Sequence, residues 1–283
     1  MWFCFFSFID SQVKELNAVK IKEKVFKNGY SLKAGENYIE LIKYGKGAYD
    51  FKSFCIKNTK NKKLINELRK RFYRFAEKEK CIIQSENSER DKKQTEFLND
   101  CGFIIKYSKQ IFLKNLAKHT FLLDDIFRYR SIDKTGTEKF FEVFKASADN
   151  PIKTIAGFKR YIHKIKKEYK NVDGISNWEL VFLNRKPIGI IMPFKILTYM
   201  PPLFSIRKEV GTLLNIALLP EERGKGYGRI IHSRGLMILK DMGLKTYMGS
   251  TETNNYAMLK VFKINKCRKS MIQHFYCTKK EIS

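Results

Sequence analysis

Residues 213–242 read LLNIALLPEERGKGYGRIIHSRGLMILKDM: an apolar run of strand length, a glycine-rich turn, then a helical period. The turn Arg223-Gly224-Lys225-Gly226-Tyr227-Gly228 decides what that order means. Glycines let a backbone bend tightly and approach a ligand without Cβ atoms in the way, and a helix beginning there presents unpaired N–H groups at its positive end. Such a turn is an anion cradle that suits a pyrophosphate. Three phosphate motifs compete for it, and spacing excludes two. A P-loop requires G-x-x-x-x-G-K-[ST], and no Ser or Thr follows a Gly-Lys pair here; the dinucleotide fingerprint requires G-x-G-x-x-G, whereas Gly224, Gly226 and Gly228 are evenly spaced by two. R-x-x-G-x-G remains, with Arg223, Gly226 and Gly228 in its fixed positions. By itself this pattern also fits an ordinary strand-to-helix turn that binds nothing, so the flanks must decide.

Upstream, Gly211 to Leu219 is a mostly apolar strand closed by Pro220. Downstream, Tyr227 to Met242 carries Ile230, Ile231, Leu236, Ile238 and Leu239, has Lys240 near its end and stops at Gly243. Leu244 to Ser250 then suits a strand, and residues 251–267 suit a capped second helix. The whole resembles the acyl-CoA-binding segment of the GNAT superfamily of N-acetyltransferases. Leu218-Leu-Pro220-Glu-Glu-Arg223-Gly224 is similar to the end of that family's central fourth strand, and Asn255 with Met258 is similar to its N-x-x-M/A segment. The resemblance is close over residues 210–267 and looser back to residue 120. There are two departures: Lys266-Cys267 stands where Gly-Phe usually closes the segment, and Phe262 stands where many members place a tyrosine.

The resemblance implies a mixed, mostly antiparallel central sheet flanked by helices, an α/β (α+β) fold. It implies acetyl-CoA as co-substrate and a primary amine as acceptor, the amine attacking the thioester directly. Backbone N–H groups of Ile216, Ala217 and Leu218 would polarise the thioester carbonyl and pair with the pantetheine. Those of Gly224, Lys225, Gly226, Tyr227, Gly228 and Arg229 would take the pyrophosphate, with Arg223 closing the loop, and Asn255 and Met258 would flank the pantetheine. Where some members carry a glutamate base this chain has Thr212, whose hydroxyl is no base at neutral pH. Glu209 and Glu252 are the nearest carboxylates able to act, and Tyr247 and Tyr256 are the candidate acids in place of Phe262. For each the plainer reading, a surface carboxylate or a packing ring, is the better one, and His232, inside the helix, reads as structural.

Hydrophobic residues at 43% and aromatics at 14% exclude wholesale disorder, and no apolar run reaches the roughly 20 residues needed to span a bilayer. The apolar start, Met1 to Ile9, lacks a basic flank and a cleavage site, so a buried strand is expected rather than an export signal. Six cysteines without a C-x-x-C pair fit a reducing, cytoplasmic setting, and four scattered histidines suggest no metal. Fifty-six basic against twenty-nine acidic side chains give +27, which raises nucleic-acid or acidic-substrate binding. Lysine is nevertheless spread through almost every segment, no basic-aromatic nucleic-acid signature is present, and a positive field equally serves CoA capture. Three function classes therefore stand: an N-acetyltransferase; a non-catalytic acyl-CoA sensor, favoured by the missing glutamate and tyrosine; and, last, a nucleic-acid-binding protein.

The first half repeats the order of elements: an extended run at Tyr49 to Lys57, a helical stripe from Leu64 to Ala76, strand-like Cys81 to Ser85, a short helix ending at Cys101-Gly-Phe103, and Ile104 to Leu113 as paired or bent strands. Residues 1–118 read as a degenerate GNAT-like copy, with Lys57-Asn-Thr-Lys-Asn-Lys-Lys63 in place of the glycine loop, or as an unrelated α/β domain; residues 119–283 read as the acetyl-CoA-binding domain. In the latter, Phe127 to Ile132 suits a first strand, Glu138 to Ala146 and Ile152 to Lys170 suit helices, and Trp178 to Phe194 a hairpin. Helices in that position roof the acceptor site in the resembling family, so the basic stripe that includes Lys164, Lys166 and Lys167 would face an acidic acceptor. Charge reversal at these three lysines is expected to raise the acceptor KM and leave CoA affinity unchanged in steady-state kinetics.

Overall fold

The computed structural model describes residues 21–281 except 28, 46, 58–60, 87–90, 119, 123, 148–151, 169–173 and 200–206. The segment Met1 to Ile9, expected as a buried strand, lies outside the described residues. In chain order the elements are β1 (Lys22–Phe26), β2 (Gly29–Ala34), β3 (Asn37–Gly45), β4 (Ala48–Cys55), α1 (Lys62–Lys78), β5 (Ile82–Glu86), α2 (Lys92–Asp100), β6 (Ile104–Asn115) and β7 (Phe127–Ser131). There follow α3 (Ile132–Thr135), α4 (Thr137–Ser147), α5 (Ile155–Glu168), β8 (Glu179–Leu183), β9 (Lys186–Tyr199), β10 (Arg207–Leu218), α6 (Gly228–Asp241), β11 (Thr246–Glu252), α7 (Tyr256–Ile264) and β12 (Arg268–Cys277).

Two compact units emerge, one of the described residues up to Lys109 with Met271 onward, the other of Gln110–Ser270. The sequence reading divides the chain at residue 118; the units divide near residue 109, and the last strand joins the first unit. Strand order in the first unit is β1-β2-β3-β4-β5-β12-β6, and in the second β6-β11-β10-β9-β8-β7, each unit taking its own part of β6. Neighbours are antiparallel at β1/β2, β2/β3, β3/β4, β5/β12, β7/β8, β8/β9 and β9/β10, and parallel at β4/β5 and β10/β11. A parallel pair needs a crossover, supplied by α1 in one unit and α6 in the other.

The helices begin and end where side-chain chemistry dictates. Asn61 caps α1 by accepting from the Leu64 N–H, as Asn255 caps α7 by accepting from Met258. Four helices end on a left-handed residue, Lys80, Gly102, Gly243 and Lys266. In each the next N–H reaches back to a carbonyl five residues earlier, as from Leu244 to Leu239 and from Cys267 to Phe262. Lys266 thus carries a positive φ of 53° where the resembling family has glycine. In the first unit α1 turns Ile65, Leu68, Phe72, Phe75 and Ala76 onto Tyr30, Leu32, Ile39 and Tyr49. In the second, α4 and α5 cover one sheet face with Phe140, Phe144 and Phe158 against Trp178, Leu180, Ile190 and Met192, and α6 covers the other with Ile230, Ile231 and Ile238 against Val181, Ile188 and Ile191.

Three features differ from expectation. Residues 104–115 form one continuous strand rather than paired or bent ones, because no turn residue interrupts them. The meander β1 to β3 and the strand β12 were not foreseen, since their apolar residues alternate with lysine and are read as charged loops unless the partner strands are known.

Gly189 of β9 admits no side chain: a Cβ there would lie 2.4 Å from the Ala217 carbonyl oxygen of β10. Gly189→Ala is expected to lower stability by about 1–3 kcal/mol, read as a lower urea midpoint. His274 accepts or donates one hydrogen bond with Ser108 at 2.8 Å, and burial holds its pKa below 6.5. Its contribution to stability is therefore present above pH 6.5 and lost as pH falls through the depressed folded value. His274→Gln should flatten that part of the unfolding free-energy profile.

Candidate active site

The strand that carries the site is β10. It pairs with β9 along its whole length, with an irregularity between Leu213 and Asn215 that leaves Leu214 without an opposite residue. With β11 it shares a single register pair, Gly211 and Tyr247. Beyond that pair no residue of one strand is in register with the other, so their facing edges part.

Hydrogen-bond alternation assigns the main-chain groups on that edge of β10. The Leu219 N–H donates to Ile188 of β9 at 2.8 Å, so the main chain of Ala217, two residues earlier, also faces β9. The groups of Ile216 and Leu218 face the other way, toward β11. The Leu218 carbonyl on that side accepts from Arg223 Nε at 3.1 Å. The N–H groups of Ile216 and Leu218 and the Ile216 carbonyl thus lie on the strand edge toward β11, beyond its one register pair.

The chain leaves β10 through a short 3-10 turn at Pro220–Glu222 and enters the glycine loop. Gly224 and Gly226 have φ of 77° and 81°, where an L side chain is strained, and nothing lies within 4 Å of a Cβ at either. The space above the loop is open. Gly228, the first residue of α6, lies 3.3 Å at its would-be Cβ from Val261 of α7, so the helices touch at the loop. Among the described residues the N–H groups of Gly224 to Arg229 donate to no carbonyl; the first N–H of α6 that does is Ile230, to Tyr227 at 3.0 Å. The glycine loop expected from the spacing thus ends in free N–H groups at the start of α6.

Arg223 acts on the protein itself. Its Nε holds the Leu218 carbonyl, and its Nη2 donates to the Ser147 carbonyl at the end of α4 at 2.9 Å. Lys225 pairs with Glu222 at 2.9 Å, and that hydrogen bond raises its pKa. Asn265, absent from the sequence-based candidates, is buried at 1% exposure and donates through Nδ2 to the Arg229 carbonyl at 3.0 Å and the Val261 carbonyl at 3.2 Å. It fastens the first turn of α6 to the end of α7. The sequence signal for it is weak, a lone asparagine just before Lys266.

The proton-handling candidates are dispersed. Glu209 is two residues from Gly211, whose face packs on Leu239 of α6, and it pairs with Lys195 at 3.3 Å; it lies on the α6 side of the sheet. Thr212 lies on the opposite side. Glu252 ends β11 exposed, out of phase with the buried Tyr247, Gly249 and Thr251 and so on the face away from α7. Tyr256 opens α7 at 78% exposure beside Asn255, whose side-chain oxygen serves as the helix cap. Met258 packs half-buried on the cluster of Phe112, Leu239 and Tyr247. Tyr247 is buried, 3.3 Å from His232 Nε2, and burial pushes its pKa well above the ordinary tyrosine value. Phe262 stacks on Phe112 at a 4.1 Å centroid distance. Both rings are core, and His232, fully buried beside them, is structural.

Among the described residues, no three His, Cys, Asp or Glu side chains gather to hold a metal ion, and no helix is long and apolar enough to cross a membrane. Residues 148–265 match the model of the acetyltransferase (GNAT) family. Among solved structures, a GCN5-related N-acetyltransferase from Sphaerobacter thermophilus superposes with a TM-score of 0.60 at 8% identity, over 94% of this chain and 84% of that one. A tandem GNAT protein from the clavulanic acid biosynthesis pathway gives 0.54 at 10% identity, over 88% and 81%. A GNAT acetyltransferase from Colwellia psychrerythraea gives 0.56 at 13%, over 88% and 85%. At such identities the likeness is one of fold. No curated protein sequence matches the chain.

Arg223→Ala removes both main-chain tethers at once and should lower the stability of the loop. Protection of the Ile230 and Ile231 amides, both bonded to the Tyr227 carbonyl, against hydrogen exchange is expected to fall at least tenfold, while that of β8 amides stays unchanged.

Proposed function

From the GNAT acetyltransferase domain at residues 148–265, we propose that this chain transfers an acetyl group from acetyl-CoA to a primary amine by direct attack. The observation that carries the reading is the parting of β10 from β11 beyond Gly211 and Tyr247, which leaves the Ile216 and Leu218 edge of β10 unpaired next to the glycine loop. The pyrophosphate binds to the N–H groups of Gly224 to Arg229 at the positive end of α6. The pantetheine lies along Ile216 and Leu218 as a surrogate strand, flanked by Asn255 and Met258. The Ile216 N–H donates to the thioester oxygen as charge develops there.

In the reaction the amine nitrogen forms a bond to the carbonyl carbon and loses a proton, and the C–S bond breaks to give the CoA thiolate, which takes up a proton. With Glu209 on the α6 side of the sheet, Glu252 is the carboxylate placed to receive the first proton through water, and Tyr256 the phenol placed to supply the second. The basic face of α5, with Lys164, Lys166 and Lys167, favours an acceptor carrying negative charge. The first unit, whose Lys57 to Lys63 segment has no glycine cradle, is a degenerate copy with a structural role. The free cysteines suit a reducing compartment such as the cytoplasm.

A sensor that binds acyl-CoA without turnover is the second reading, favoured by Thr212 at the base position and by Phe262 buried on Phe112. Both readings predict acetyl-CoA binding, and Gly226→Asp, placing a carboxylate in the cradle, should abolish the thermal shift. At 100 times Kd that shift corresponds to about 2.7 kcal/mol. Release of free thiol across an amine panel separates the two readings. An enzyme releases it, with Glu252→Gln slower by about 10²-fold; binding without release establishes the sensor.

A further inference from the structure

The first unit carries a cavity of its own, of about 410 Å³, bounded by Asn66, Arg69, Lys70, Tyr73 and Arg74 of α1 and by Asp100 at the end of α2. That size is within the range of small-molecule sites. The five α1 residues recur at intervals of three and four, so one face of the helix forms a wall. The wall begins past the first turn, whose Leu64 N–H is already capped by Asn61.

The charges of the cavity are one-sided. Three cations, Arg69, Lys70 and Arg74, stand against one carboxylate, Asp100. Arg69 is engaged: it is half-buried, its Nη2 donates to Asp100 and its Nη1 to the Asn66 side chain at 3.4 Å. Lys70 and Arg74 are not. The acidic residues of α1 are Glu67 and Glu77, and both are taken, Glu67 by Arg71 at 2.9 Å and Glu77 by Lys280 at 3.1 Å. Lys70 and Arg74 lie in the field of Glu67, yet among the described residues neither is ion-paired. Set one turn apart, they form a like-charge pair that weakens the helix carrying it.

Cations on a helix ordinarily stand out from its surface into water. These two instead line a concavity beside an aromatic ring, since Tyr73 is half-buried and held edge-on by Phe103 at 5.6 Å. Lys70 and Arg74 supply ammonium and guanidinium donors suited to phosphate oxygens, and Tyr73 supplies a ring against which a planar group can lie. A bound anion would offset the repulsion within α1. We propose that this cavity binds a phosphorylated small molecule with a planar organic part, such as a nucleoside diphosphate, its phosphates on Lys70 and Arg74 and its ring on Tyr73. The proposal is independent of the acyl-transfer reading, because the cavity belongs to the first unit and the glycine loop to the second.

Calorimetric titration of the full chain carrying Gly226→Asp, which closes the glycine loop to phosphates, with ADP and with adenosine tests it. Saturable one-to-one binding of ADP is expected, tighter than that of adenosine by roughly tenfold or more. Lys70→Glu with Arg74→Glu should weaken ADP binding by roughly tenfold or more. Lys134→Glu with Lys186→Glu, the same change of charge in the second unit, should leave it unchanged. Circular dichroism verifies that each variant is folded. Absence of saturable binding up to about 10 mM ADP, equal weakening by the two charge-reversed pairs, or adenosine binding as tightly as ADP would overturn the proposal. So would binding seen in the native chain and lost in Gly226→Asp, which would put ADP in the glycine loop.

Discussion

The second unit depends on how closely α6 lies on its sheet. A Cβ on Gly211 of β10 would meet Leu239 at 2.9 Å, and one on Gly235 of α6 would meet Leu213 at 2.8 Å. Hydrogen at these two positions lets helix and strand approach until leucine side chains fill the gap, at the packing density of an interior. With the helix pinned there, its first turn must lie at the end of β10. The glycine loop then has one place to be.

The same pinning accounts for the parting of the strands. A parallel neighbour reached through a crossover helix has its register set by where that helix lands. Here Tyr247 is driven into the cluster of His232, Phe262 and Phe112, and this fixes β11 against β10 at a single pair. Past that pair the strands are no longer in register, and the edge of β10 runs on without β11 as its partner. A sheet elsewhere avoids unpaired edges; this one keeps one, beyond Gly211 and Tyr247.

Arg223 and Asn265 show how a loop of glycines is made rigid. Glycine supplies the shape and no restraint, so the restraint comes from side chains outside the cradle, one reaching Leu218 and Ser147 and the other Arg229 and Val261. Through Arg223 the loop is tied to the end of α4.

The sequence by itself determined the glycine loop, the helix after it and the order strand, helix, strand, helix in both halves, because glycine spacing, helical period and cap residues are local signals. The sequence placed Ile216, Ala217 and Leu218 on one strand, but that Ala217 faces β9 while Ile216 and Leu218 face away from it is a matter of hydrogen-bond phase, which only the paired strand supplies. Glu209 and Glu252 are equally near the loop in sequence. The sheet has two faces and the chain's alternation carries no label for which is which, so only the packing of Gly211 on Leu239 puts Glu209 on the helix side. The tie from Asn265 to Arg229 and the passage of the last strand into the first unit join residues far apart in the chain, and long-range contacts of that kind are decided by the folded structure alone.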